Sequence, residues 1–184
     1  MDPNRQQPAD SFVSPALVQS AAGGDRSAQR EIYERTCDLV FRLLVRMVGR
    51  QEGEDLTQQV YVQAFTKLEQ FQGTAKFETW LYRIARNEAL QHLRRQRVRK
   101  TVPIEIEPTT RSEPTIEQKE IAERLQAALR QLDPELSTII SLKEDGGLSY
   151  KEIAEAAGIP EGTVGSRLNR ARRELAKLLK AEDR

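Results

Sequence analysis

Between Gly158 and Leu175 the chain reads GIPEGTVGSRLNRARREL, a stretch rich in side chains that can grip nucleic acid. Ser166 and Asn169 can bond to base edges or phosphate oxygens, and Arg170 and Arg173 to phosphate or guanine. At 100° per residue Val164, Leu168, Ala171 and Leu175 share one helix face, while Gly162, Ser166, Asn169, Arg170 and Arg173 point the other way. One side packs and the other reaches out. Gly162, near the start of this helix, would let a phosphate approach free backbone N–H groups, where the helix end adds a partial positive charge. Arg167 lies beside the packed stripe, where an internal salt bridge and a DNA contact are both open to it.

A second basic run lies upstream. Arg83, Arg86, Arg94, Arg95, Arg97, Arg99 and Lys100 face a single acid, Glu88, between Arg83 and Lys100. Glu105, Glu107, Glu113, Glu117, Glu120 and Glu123 then outnumber Arg111 and Lys119, so an acidic segment separates two basic surfaces. The formal net charge of +1 argues against indiscriminate coating of nucleic acid. Catalytic chemistry has little to stand on. One cysteine, Cys37, and one histidine, His92, provide neither an internal disulfide nor a zinc cluster. His92 has no companion nucleophile or carboxylate constellation, and no Gly-rich phosphate loop occurs. No catalytic residue, metal or cofactor is therefore expected. No apolar run approaches the roughly 20 residues that cross a bilayer, so membrane insertion is not expected and the cytoplasm is the expected location.

The elements that must position these residues read as helices throughout, with no strand signal. Residues 1–15 read as a flexible N-terminus, after which Ser14 and Pro15 fit the cap and first position of a short helix ending at Gly23-Gly24. Asp25 or Ser27 opens a longer helix with Ile32, Leu39, Val40, Leu43, Leu44 and Met47 at helical spacing. A third, about Glu52 to Leu68, is apolar on two sides, Leu56-Val60-Ala64 and Tyr61-Phe65-Leu68, which calls for two neighbours. Phe77, Trp80, Leu81 and Ile84 set the inward stripe of a fourth. These helices make a bundle over 16–100. TVPIEIEPTTRSEPT, residues 101–115, reads as an extended linker able to reach about 50 Å. Over 116–184 a helix with Ile121, Leu125, Ala128, Leu129 and Leu132 inward precedes an Asp133-Pro134 start. Then Tyr150 to Ala157 and the Arg-rich helix form a helix-turn-helix, in which small alanines allow a close crossing. The expected fold is all-α: two small helical domains, an N-terminal bundle and a C-terminal helix-turn-helix, joined by an extended linker.

GLSYKEIAEAAGIPEGTVGSRLNRARREL resembles region 4 of bacterial sigma factors, and GEDLTQQVYVQAF with FQGTAKFETWLYRIARNEALQHLRR resembles region 2 of their extracytoplasmic function (ECF) group. The two motifs stand in order, a linker apart, with no room for a region 3 between Lys100 and Ile116. The resemblance implies a non-enzymatic subunit that binds core RNA polymerase and directs it to promoter DNA with minus-10 and minus-35 elements. It also implies an anti-sigma factor as a further partner.

Residue by residue, it implies core-polymerase contacts at Glu54, Asp55, Gln58, Gln59 and Val62, with the two apolar sides of the third helix explained by docking on the polymerase. The loop Phe71, Gln72, Gly73, Thr74 and Ala75 would enclose a flipped minus-10 base, Asn87 would read it, and Arg83, Arg86 and Arg94 would hold the strand. Gly162, Thr163, Ser166, Arg167, Asn169, Arg170 and Arg173 would contact the minus-35 element. Trp80 and Phe77, on the inward stripe, are expected in the core rather than stacked on a base. Glu105 and Glu107 would lie in the polymerase's RNA path, or else belong to a plain solvated tether. The sequence departs from the family's habit at Gly53, Gln59 and Gly165. A conventional helix-turn-helix regulator acting without polymerase is the alternative. It would need a dimer seam and a sensor pocket, and neither is evident.

Overall fold

The computed structural model describes residues 11–99 and 116–182, with side chains over 11–96 and 121–181. The expected linker, 101–115, including Glu105 and Glu107, lies outside the described residues, as do residues 1–10. Among the described residues the fold is all-α, with eight helices, one 3-10 turn and no strand.

The helix starts follow from their caps. Ser14 accepts from the Leu17 N–H ahead of α1 (Pro15–Ala22), and Asp25 accepts from the N–H groups of Ser27 and Ala28 to open α2 (Arg26–Val48). Each such cap is worth about 1 kcal/mol. Gly49, at φ 91, turns the chain into α3 (Arg50–Thr66), which begins slightly before the expected Glu52. A 3-10 turn at Leu68–Gln70 and a loop lead to α4 (Phe77–Arg99). After α5 (Ile116–Gln131), Asp133 caps α6 (Pro134–Glu144) through the Glu135 N–H. Ser149 and Glu152 close a reciprocal capping box at α7 (Tyr150–Ala157), and Gly158, at φ 66, ends it in the left-handed conformation ahead of α8 (Glu161–Glu182).

Ile32, Val40, Leu44, Val60, Leu81 and Ala85 are almost fully buried where α2, α3 and α4 meet. Burying one such large aliphatic side chain contributes about 1.5–3 kcal/mol. The two apolar sides of α3 are taken by α2 and α4, so docking on a polymerase is not needed to explain them. Inside, Tyr61 and Thr36 share a hydroxyl hydrogen bond of 2.6 Å, and Thr36 also donates to the Ile32 carbonyl. Burial pushes the Tyr61 phenol well above its ordinary pKa.

The C-terminal helices do not stand apart. Ile139, Leu142, Leu148, Ile153, Ala154, Ala156, Ala157, Val164 and Leu168 join the N-terminal residues in one continuous core, and a smaller cluster of Leu129, Leu132, Leu136, Ile140 and Ala171 completes the C-terminal end. The expected close crossing of α7 on α8 is present, and α7 also lies along α4. Its alanines serve both contacts.

Two expectations need correction. Residues 11–15 do not behave as a free tail. Val13 is buried, its N–H donates to Glu78 at 3.0 Å, the Ser11 hydroxyl donates to the same carboxylate, and Arg35 donates to the Phe12 carbonyl. The cause is the buried Glu78 carboxylate in the first turn of α4, whose burial is satisfied by these donors. Ile121, expected inward, is exposed, because the C-terminal cluster that α5 joins begins only at Leu125.

Candidate nucleic-acid and protein interfaces

On α3, Glu54, Asp55, Gln58, Gln59 and Val62 are all exposed on one helix face. Val62, at 68% exposure, is an apolar knob beyond an acidic and amide rim. Arg50 reaches Glu54 at 3.3 Å, an exposed pair that water largely screens. Gly53 packs against α2, where a Cβ would stand 3.0 Å from a Val45 methyl and 3.2 Å from its backbone nitrogen. The glycine permits a closer approach of α3 to α2 than a residue with a Cβ would.

The loop after α3 forms a cup of about 550 Å³, lined by Gln70, Phe71, Gln72, Thr74, Ala75, Thr79, Trp80, Arg83 and Glu155. Gly73 makes the turn at φ 68, which a residue with a Cβ adopts only at a cost. Phe71 lies 5.4 Å from Trp80 and 5.7 Å from Phe77, ring centre to ring centre, and Phe77 lies 5.6 Å from Trp80. Phe77 is core, as expected. Trp80 is only half-buried: one side packs on the two phenylalanines and another lines the cup, a role its position on the inward stripe did not reveal. A cup with an aromatic wall, amides and one arginine is the chemistry needed to hold an unstacked base.

Along α4, Arg83 at the cup and Asn87 and Arg94 beyond it are exposed at helical spacing. Arg86 does not join them. It is half-buried, lies 4.0 Å from Glu135 and leaves its Nε buried without a hydrogen-bond partner. Burial lowers its guanidinium pKa, and Glu135 opposes that shift.

On α8, Gly162, Ser166, Asn169, Arg170 and Arg173 are exposed, while Val164, Leu168 and Ala171 are buried, as the helical phase requires. Thr163 is half-buried, and its carbonyl accepts from the Ser166 hydroxyl at 2.9 Å. Nothing lies within 4 Å of a Cβ placed on Gly162, so the amino end of α8 is open to an incoming group. Arg170 pairs with Glu174 at 2.7 Å on the open surface, which raises its pKa. Arg167 donates to Glu135 at 2.8 Å and so takes the internal partner that the sequence left open.

Sequence reasoning did not single out Trp80 as a cup wall, nor Lys76, Glu135, Glu152 or Glu155. Lys76 pairs with Glu152 at 3.0 Å, and all four acquire their roles from the meeting of the two halves. The loop motif adjoining Trp80 was the available signal for the first, and the acids carried none.

The sequence matches two family descriptions, Sigma-70 region 2 over residues 32–99 and Sigma-70, region 4 over residues 122–175. It is 36% identical over 180 residues to the ECF RNA polymerase sigma factor SigE of Mycolicibacterium smegmatis, covering 92% of this chain and 68% of that protein. It is 33% identical over 177 residues to the ECF RNA polymerase sigma-E factor of Haemophilus influenzae, covering 89% and 94%. Among solved structures, CnrH in complex with the cytosolic domain of CnrY superposes with a TM-score of 0.68 at 24% identity, over 90% of this chain and 96% of that one. The sigma factor RpoE of Bartonella quintana, solved with the anti-sigma factor NepR, gives 0.69 at 24%, over 82% and 96%. At that identity the two structures share the fold.

Proposed function

The chain belongs to the extracytoplasmic function group of the sigma-70 family, and from that membership we propose how its parts divide the work. It is a sigma factor, which binds core RNA polymerase and directs it to promoters, and RNA synthesis itself belongs to the polymerase. The α3 face of Glu54, Asp55, Gln58, Gln59 and Val62 docks on core. The 71–75 loop captures a flipped minus-10 base, with Asn87 reading it and Arg83 and Arg94 holding the strand. Arg86 joins them when Glu135 releases it. The α8 face of Gly162, Thr163, Ser166, Asn169, Arg170 and Arg173, with Arg167, meets the minus-35 element. In this division residues 16–100 form region 2, 101–115 the linker and 116–184 region 4. No described helix is long and apolar enough to cross a membrane; the proposed place of work is the cytoplasm, with the polymerase.

The observation that carries the docking assignment is Val62 standing 68% exposed on the face it shares with Glu54, Asp55, Gln58 and Gln59, since exposed apolar surface beside polar groups is the composition of a protein interface. An anti-sigma factor is the expected second protein partner, since one neighbour of like fold, RpoE, was solved with the anti-sigma factor NepR. The test is co-elution with core polymerase followed by sequencing of run-off transcripts from fragmented genomic DNA. Asp55→Arg should elute free of core and start no transcripts. Equal co-elution of variant and parent would remove the α3 assignment.

A further inference from the structure

We infer that Gln63 is a positioning residue for minus-10 strand capture: by its hydrogen bond to Glu88 it holds the one carboxylate of the α4 basic run on the buried side of the helix, so that the α4 face presented to the strand carries no acid. The inference rests on the reading of α4 as the helix that holds the strand.

The conflict is written into the sequence. Between Arg83 and Lys100 seven basic residues accompany a single acid, Glu88, which directly follows Asn87. At 100° per residue Arg83, Asn87 and Arg94 fall within about 40° of one another, and Glu88 stands about 100° from Asn87. A glutamate at that angle can lean inward to α3 or outward over Gln91. Gln91 is exposed and accepts from Arg95 at 3.2 Å, so an outward Glu88 would stand among the groups that are to meet phosphate.

The structure turns it inward. Glu88 is only 8% exposed, and the Gln63 amide of α3 donates from Nε2 to Glu88 Oε1 at 2.6 Å. At its other end Gln63 Oε1 accepts from Lys67 Nζ at 3.2 Å. Ammonium to carbonyl and amide to carboxylate run in the same direction, and bonds aligned in this way polarise and strengthen one another. Gln63 is itself half-buried and acts on the strand through Glu88.

Magnitudes give the arrangement its consequence. A buried carboxylate is tolerated while it is hydrogen-bonded, so without Gln63 the Glu88 side chain is driven toward water, which lies on the α4 surface beside Asn87. Two unit negative charges about 4 Å apart repel enough in water to cost about fivefold in affinity. Crossing to the inner side of the helix adds about 10 Å, one helix diameter. That is about one screening length at physiological salt, and little of the repulsion survives it.

The test uses holoenzyme formed from the full chain and core polymerase on a promoter fragment recovered by the run-off experiment, with open complexes counted by permanganate reactivity at low and raised salt. Gln63→Leu should lower occupancy about fivefold at low salt, and the loss should shrink as salt rises, because its origin is charge. Q63L/E88L removes the carboxylate without rebuilding the bond and should return occupancy to the parent value. Q63E/E88Q keeps the net charge, reverses the bond and should do the same. A packing role alone gives a loss that salt does not change and that Q63L/E88L does not repair. That result overturns the inference, as does unchanged occupancy in Gln63→Leu. Should circular dichroism show Gln63→Leu unfolded, Gln63→Asn, whose amide falls one methylene short of Glu88, carries the same expectations with Q63N/E88L as its rescue. Arg83→Ala on the same promoter separates this role from the reading beneath it. Unchanged occupancy there means that α4 does not hold the strand; a loss there with Gln63→Leu silent sinks the positioning role alone.

Discussion

Gly146 faces Tyr82 across the contact between the two halves so closely that a Cβ on the glycine would stand 3.4 Å from the tyrosine hydroxyl, 2.8 Å from the Leu142 carbonyl oxygen and 2.6 Å from a Leu148 methyl. The carbonyl belongs to the last turns of α6 and cannot rotate aside. Gly146→Ala should therefore destabilise the chain by about 1–3 kcal/mol, the usual cost of overpacking. Thermal unfolding followed by circular dichroism should show the midpoint lowered by about 2–4 °C per kcal/mol. An unchanged midpoint would mean that the α6–α7 turn is looser than described.

Gly165 offers the reverse case. A Cβ there would meet only the edge of the Tyr150 ring, at an ordinary 3.5 Å, and the position is partly open beside the exposed α8 face. Gly165→Lys should add a phosphate contact to that face. Titrations with a minus-35 duplex at several salt concentrations should give tighter binding and a salt slope steeper by about 0.9. Arg170→Ala should make the slope shallower by a similar amount, since its Glu174 partner is solvent-exposed enough to yield to phosphate.

Asn87 is exposed one turn beyond Arg83 and its side-chain oxygen accepts only a long 3.4 Å hydrogen bond from Arg86, so its removal should leave the fold and core-polymerase binding intact. Loss of a base-contacting amide costs about 1–3 kcal/mol, roughly 5- to 150-fold in occupancy of the open complex. Permanganate footprinting of Asn87→Ala holoenzyme should show that loss. Full reactivity of unpaired thymines would move base reading to another residue.

Asp145 and Glu152 should titrate in opposite directions. Burial raises the Asp145 carboxyl above the usual aspartate value, with Arg46 and Arg42 opposing. Folding then favours its protonated form, so its contribution is fullest below the usual aspartate value and is lost as pH rises through the raised one. Burial would also raise Glu152, but the Ser149 N–H and hydroxyl and the Lys76 ammonium bring it below the usual glutamate value. Its contribution is present above that value and lost as pH falls through the lowered one. Carbon-13 titration of the side-chain carboxyls should find Asp145 titrating above the usual aspartate value and Glu152 below the usual glutamate value. A Glu152 shifted upward instead would remove the Ser149 and Lys76 contacts from it.

Local signals made most of the architecture legible. Ser14-Pro15, Asp133-Pro134 and Gly158 each set a helix boundary by short-range hydrogen bonding or backbone freedom, and those boundaries stand as expected. The phase of Val164, Leu168 and Ala171 likewise fixed which side of α8 is exposed. What remained hidden depends on distant partners. Arg46 and Asp145 are 99 residues apart, and no spacing rule joins them. Arg86 sits among basic residues that read as one strip, and only the arrival of Glu135 from α6 turns it inward. Residues 11–13 lacked periodicity because three residues of chain anchored by one carboxylate form no helix stripe.

That anchorage sets a lower bound on how far the protein can be shortened. The stretch matched to region 2 starts at residue 32, yet the donors that satisfy Glu78 arrive from Ser11 and Val13, nineteen or more positions earlier. A chain trimmed to the homologous segment would leave the Glu78 carboxylate without those donors at the head of the helix that carries Asn87.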